Sequence, residues 1–107
     1  MTDATVTVDD DGADTAYIRL AGEIDMDNAS QVQHQILGAI SNQHTAVTLD
    51  LSGIEYIDSA GLRVLFTLGN RLSTLQIEMR LVVPEVSMVR RVIDLSGMAN
   101  TIPVHTS

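Results

Sequence analysis

Apolar and polar residues alternate from Thr5 to Val8 and again from Ala16 to Ala21, the period-two pattern of half-buried strands. Between them Asp9-Asp10-Asp11-Gly12 supplies turn chemistry, so the two strands are expected to pair as a hairpin whose loop exceeds two residues. Beyond Gly22 the period changes. Ala29, Val32, Ile36, Leu37 and Ile40 recur on one face of a helix, opposite Gln31, Gln33, His34 and Gln35, and Asp27 or Asn28 is placed to cap it. Ala46 to Leu51, "AVTLDL", is short and rich in branched residues, as an interior strand should be. A loop is expected from Ser52 to Asp58, then a helix from about Ser59 to Thr74 and a strand from Glu78 to Val83. Pro84 suits the first turn of a helix running to about Leu95, with Gly97 at its C-terminal cap. Ile102 to Val104 closes the chain as a short strand, which Pro103 assigns to a sheet edge.

The expected order is β-β-α-β-α-β-α-β. Helix-linked strands favour a mostly parallel sheet, here of about five strands, and the opening hairpin adds one antiparallel strand. The fold class is therefore α/β, with three main helices largely on one face. No linker, repeat or low-complexity tract divides the chain, so residues 1–107 are read as a single domain.

Composition narrows the functions open to such a domain. Three aromatic residues in 107 require an aliphatic core. The chain has no cysteine, which excludes disulfides, thiolate metal sites and thiol catalysis, and suits a reducing cytoplasm. Fourteen acidic residues face six basic ones, all arginine, for a net charge of −8. That balance repels nucleic acid and anionic lipid and favours a partner with a positive surface. No apolar run approaches the roughly 20 residues that span a bilayer, so no membrane insertion is expected. The acidic start, "MTDATVTVDDD", is unlike a signal peptide, and a cytoplasmic location follows as an expectation. The acidic run Asp9 to Asp14 lacks the downstream glutamate of a calcium loop and fits a solvated turn. His34 and His44 have no metal-ligand spacing and are expected at the surface. No metal, cofactor or catalytic residue is called for.

Chemistry concentrates at "LDLSGIEYIDSAGLRVLF", Leu49 to Phe66. Ser59 falls at or beside the N-cap of the second helix, where its hydroxyl would satisfy an orphan backbone N–H. A phosphate there would face free amides and the positive end of the helix dipole, so the fold would tolerate it. Phosphorylation adds about −1.5 to −2 charges beside Asp58 and near Asp25, changing the surface on an unchanged scaffold. Leu62, Leu65, Phe66, Gly69 and Leu72 form the natural core stripe of this helix. Val64, Leu68 and Leu75 make a second apolar stripe, which either covers a neighbouring helix or offers a partner-binding patch beside Ser59. Hydrolytic readings are weaker. Ser59 has no nearby general base, and "YIDSAGL" is not a Gly-x-Ser-x-Gly elbow. Asp25-Met26-Asp27 resembles the Asp-x-Asp of aspartyl phosphotransferases, but follows Gly22-Glu23 rather than a long buried strand.

"YIRLAGEIDMDNA" at 17–29, "LDLSGIEYIDSAGLRVLF" at 49–66 and "PEVSMVRRVIDLSGM" at 84–98 together resemble a STAS domain of the anti-sigma factor antagonist kind. The resemblance implies a regulatory protein and not an enzyme. An anti-sigma factor, itself a serine kinase, would bind the unmodified form and release its sigma factor. It would then phosphorylate Ser59 and let go, and a PP2C-type phosphatase would restore the active form. It also implies that Asp25 and Asp58 lie near the phosphoacceptor. Asp25, Asp58, Ser59, Gly61, Leu62, Val64 and Leu68 are the expected partner-binding residues. Many members carry a second serine after the acceptor; Ala60 leaves Ser59 as the sole hydroxyl of the motif. Two alternatives remain: a constitutive STAS subunit of another complex, such as a lipid-transport ATPase, and a small nucleotide-binding or hydrolytic protein.

Overall fold

The computed structural model describes residues 3–9 and 14–106. The turn expected at Asp9 to Gly12, and the acidic run with it, lie mostly outside the described residues.

Nine elements follow in order: β1 (Ala4–Asp9), β2 (Thr15–Ile24), α1 (Ala29–Gly38), β3 (Ala46–Ile57), α2 (Ser59–Thr74), β4 (Glu78–Val83), α3 (Met88–Ser96), a 3-10 turn (Met98–Asn100) and β5 (Val104–Thr106). The strands form one sheet in sequence order, β1-β2-β3-β4-β5. β1 runs antiparallel to β2, and the remaining pairs are parallel. This is the expected α/β architecture, hairpin included.

Register across the central strands sorts their side chains onto two unlike faces. Ala16 pairs with Val47 and Val47 with Met79; Ile18 pairs with Leu49 and Leu49 with Leu81. All six are buried, Ile18, Leu49 and Leu81 completely. Each fully buried aliphatic side chain contributes about 1.5–3 kcal/mol relative to exposure, so this face anchors the fold. Val32 and Ile36 of α1 and Leu65, Leu68 and Leu72 of α2 complete the same aliphatic cluster. The opposite face carries Tyr17, Thr48 and Arg80 in one row and Arg19 and Asp50 in the next. There the Tyr17 hydroxyl donates to Asp50 Oδ2 at 2.6 Å, and the Arg19 guanidinium lies over the Tyr17 ring at 5.4 Å.

Four local readings are corrected. β3 does not end at Leu51 but continues to Ile57, so the segment expected as a loop from Ser52 is mostly strand. Within that strand Gly53 serves close packing. A Cβ there would lie 2.9 Å from the Ala21 side chain and 3.1 Å from Leu20 O, where the β2–β3 register shifts. α3 begins at Met88, well after Pro84, because Ser87 takes the N-cap. Its Oγ accepts from Arg90 N at 3.0 Å and donates to Pro84 O at 3.1 Å. The last strand starts at Val104, just past Pro103, at the expected edge. His44 is not a surface residue; it is buried between α1 and β3, with its Nδ1 accepting from Ser41 N at 3.0 Å. His34 is exposed, and Gly97 caps α3 at φ +78°, both as expected.

Candidate functional site

Ile57 ends β3 and Ser59 begins α2, so Asp58 alone makes the connection. Its backbone is extended, and its Oδ1 accepts from Ala60 N at 2.9 Å and Gly61 N at 3.1 Å. Asp58 is therefore the N-cap, and a carboxylate at that position also complements the helix dipole. The capping role expected of Ser59 is already filled. Ser59 sits one residue inside the helix, exposed.

Asp58 N donates to Ile24 O at 3.2 Å, which ties the start of α2 to the end of β2 and brings the β2–α1 loop alongside. That loop is shaped from within. Asp25 Oδ1 accepts from Asp27 N at 2.9 Å, and Asp25 O accepts from the backbone of Asn28 and Ala29. Asn28 holds the loop to the strand. Its Oδ1 accepts from Asp25 N at 3.0 Å and its Nδ2 donates to Glu23 O at 2.8 Å. Asn28 occupies the N-cap position of α1 without making the side-chain cap bond expected there, because both ends of its amide serve the loop. It is 8% exposed, and its role here was not legible from sequence beyond its suitability as a cap.

The arrangement brings Asp25, Asp58 and Ser59 to one end of the sheet, beyond the carboxyl ends of β2 and β3, where ligands of open α/β sheets gather. Gly61 is buried beneath them. A Cβ at Gly61 would fall 2.4 Å from Ile57 Cγ1 and 3.1 Å from Ile24 Cγ2, so glycine lets the first turn of α2 settle onto the strand ends. Its contribution to the site is this close approach, not contact with a partner.

The expected core stripe of α2 is buried at Leu65 and Leu72, each 1% exposed, and the second stripe joins it there. Val64 is 4% exposed and Leu68 is completely buried, because α1 packs against this side of α2. They belong to the core and leave no surface for a partner. Leu62 and Phe66, expected in the core stripe, are instead half-buried and flank the exposed ridge of Ser59, Arg63 and Asn70. Leu75 is exposed at the far end. Between α1 and α2 runs an open groove of about 260 Å³ whose rim includes Met26, Ser30, Ala60 and Arg63. Met26 is 79% exposed there, and Arg63 is the one charged side chain lining the groove. No cluster of metal-ligating side chains occurs among the described residues.

The family model for the STAS domain matches residues 5–107, all of the helices and all of the sheet but Ala4 at the start of β1. The chain is a STAS domain. It is 33% identical over 97 residues to the anti-sigma-F factor antagonist RsfB of Mycobacterium tuberculosis, covering 91% of this chain and 77% of RsfB. An anti-sigma factor antagonist from Mycobacterium paratuberculosis superposes with a TM-score of 0.83 at 27% identity, over 96% of this chain and 86% of that one. The antagonist SpoIIAA shares the fold in its unphosphorylated form, with a TM-score of 0.77 at 22% identity over 96% of this STAS domain and 88% of SpoIIAA. Its phosphorylated Bacillus form gives 0.71 at 21% identity, over 96% and 91%. No helix among the described residues is long and apolar enough to cross a membrane.

Proposed function

We propose that this STAS domain is an anti-sigma factor antagonist whose unmodified form binds an anti-sigma factor and frees the sigma factor. The anti-sigma factor acts as a serine kinase. It moves the γ-phosphoryl group of ATP onto Ser59 Oγ, leaving ADP and a proton, and the complex then weakens. A PP2C-type phosphatase hydrolyses the ester and restores binding. The protein itself catalyses nothing in this cycle and works in the cytoplasm.

One observation carries the reading: Ser59 is exposed at the first residue of α2, while the neighbouring Asp58 does the capping. A serine needed for the cap would lose that bond on esterification. This serine is spared that loss, so modification changes the surface and leaves the helix start intact. The relatives named as anti-sigma factor antagonists support the same reading, and SpoIIAA illustrates that the fold accommodates a phosphorylated form. The docking face comprises Ser59, Leu62 and Phe66 of α2 with Asp25 and Asp58 at its edge.

Incubation with candidate anti-sigma kinases and ATP, followed by mass spectrometry, tests it. Phosphate confined to Ser59, absent from Ser59→Ala, is the expected result, and Ser59→Ala stays bound when ATP is added. Stable binding to a partner that ignores Ser59→Asp overturns the switch and points to a constitutive STAS subunit.

A further inference from the structure

A phosphoryl group on Ser59 enters surroundings that the fold has already partly committed. The amides of Ala60 and Gly61, which a helix start ordinarily offers to an anion, are occupied by Asp58 Oδ1. The expectation of free amide donors therefore fails for these two. Asp58 adds a carboxylate next to the acceptor, and the adjoining loop carries Asp25 and Asp27. A cation nearby would offset the repulsion that a dianionic ester meets in this company.

Arg63 lies one helical turn beyond Ser59, on the same solvent-facing side of α2. Side chains four residues apart on a helix are neighbours, and an anion placed N-terminal to a cation is the favourable order. Arg63 is exposed and makes no ion pair or side-chain hydrogen bond among the described residues. The first turn of α2 holds no acidic residue that would compete for it from within the helix. Guanidinium groups match phosphate oxygens with paired, charge-assisted bonds.

We propose that Arg63 closes onto the phosphoryl group of phosphorylated Ser59. The inference rests on the assignment of Ser59 as acceptor. It adds a second consequence to modification. The ester brings negative charge to the docking face, and at the same time draws Arg63 away from the α1–α2 groove, whose lining has no other charged side chain. A partner that uses the groove loses its cation and meets a dianion in one step.

The test needs no kinase. Phosphoserine is installed at position 59 during translation, and the second ionisation of the phosphate is followed by phosphorus NMR in the wild-type, Arg63→Gln and Arg63→Lys proteins. Arg63 is exposed and unpaired, so both variants are expected to melt with the parent. The phosphate of the wild type should ionise about half a unit lower than that of Arg63→Gln, the scale of an exposed charge pair. Arg63→Lys should fall between them, and the difference should shrink in molar salt. Asp25, Asp27 and Asp58 are common to all three proteins and cancel in the comparison. Superimposable titrations overturn the pairing. Anti-sigma binding, measured on the same samples, separates this inference from the switch: a lowered ionisation with binding retained keeps Arg63 paired and removes the switch.

Discussion

At the scale of single residues, Asp58, Gly61 and Asn28 shape the surface on which Ser59 and Asp25 stand. Ser59 is available because Asp58 caps and Gly61 makes room, and Asp25 is presented because Asn28 fastens its loop to β2. Asn28 makes two hydrogen bonds while 8% exposed, and truncation would leave the Glu23 carbonyl and the Asp25 amide without those partners. Asn28→Ala should therefore cost about 2 kcal/mol, measured as a lower urea midpoint at unchanged slope. Faster amide exchange confined to Glu23–Ala29 should accompany it. A midpoint equal to the parent's would show that water replaces both bonds.

At the scale of elements, α2 is read correctly in extent and only partly in its inward face: Leu65 and Leu72 are buried as expected, while Leu62 and Phe66 are half-buried. Its limits, Ser59–Thr74, follow from the sequence, since apolar periodicity and the Asp-Ser start leave little choice. Which flank joins Leu65 and Leu72 in the core does not follow, because Leu62–Phe66 and Val64–Leu68 are comparable apolar pairs. The choice is made by α1, which covers the Val64 side. Two substitutions separate the roles. Leu68→Asp buries an unpaired charge at a completely buried site and should unfold the domain, visible as loss of the far-ultraviolet helical signal. Phe66→Asp, on a half-buried flank, should keep the fold and weaken anti-sigma binding tenfold or more, about 1.4 kcal/mol by titration calorimetry. β3 shows the complementary failure: the segment from Ser52 is expected as a loop, and only β2 lying against it makes Gly53 a packing device.

At the scale of the whole molecule, the sheet has an aliphatic face that holds the domain together and a polar face on which the Tyr17 and Asp50 side chains bond across strands. The hydrogen bond to Asp50 raises the Tyr17 hydroxyl above its ordinary pKa, and burial and the Asp50 charge add to this. For Asp50, burial pushes upward, but hydrogen bonds from Ser52 and Tyr17 and the charge of Arg19 outweigh it, leaving the carboxyl below its ordinary value. The signs fix the pH window. The depressed carboxylate contributes stability above the unfolded carboxylate range and loses it as pH falls through the folded value. The raised phenol contributes below about pH 10 and loses it as pH rises through its folded value. Tyr17→Phe should thus lower stability by about 1 kcal/mol near neutrality and shrink the gap to the parent at both pH extremes. A gap independent of pH would assign the loss to packing.

What the sequence determined by itself is what local chemistry encodes. Periodicity set the element order and the class of sheet, Gly97 set the end of α3, Pro103 the edge, and the Asp58-Ser59 step the start of α2. What only the tertiary structure decided is which surfaces meet. The flank that α2 buries beside Leu65 and Leu72, the length of β3, the burial of His44 and the loop bonds of Asn28 all depend on neighbours distant in the chain. The reason is physical: a hydrogen-bonding pattern or a helical period is a property of a few consecutive residues, whereas burial is a property of whatever else packs against them.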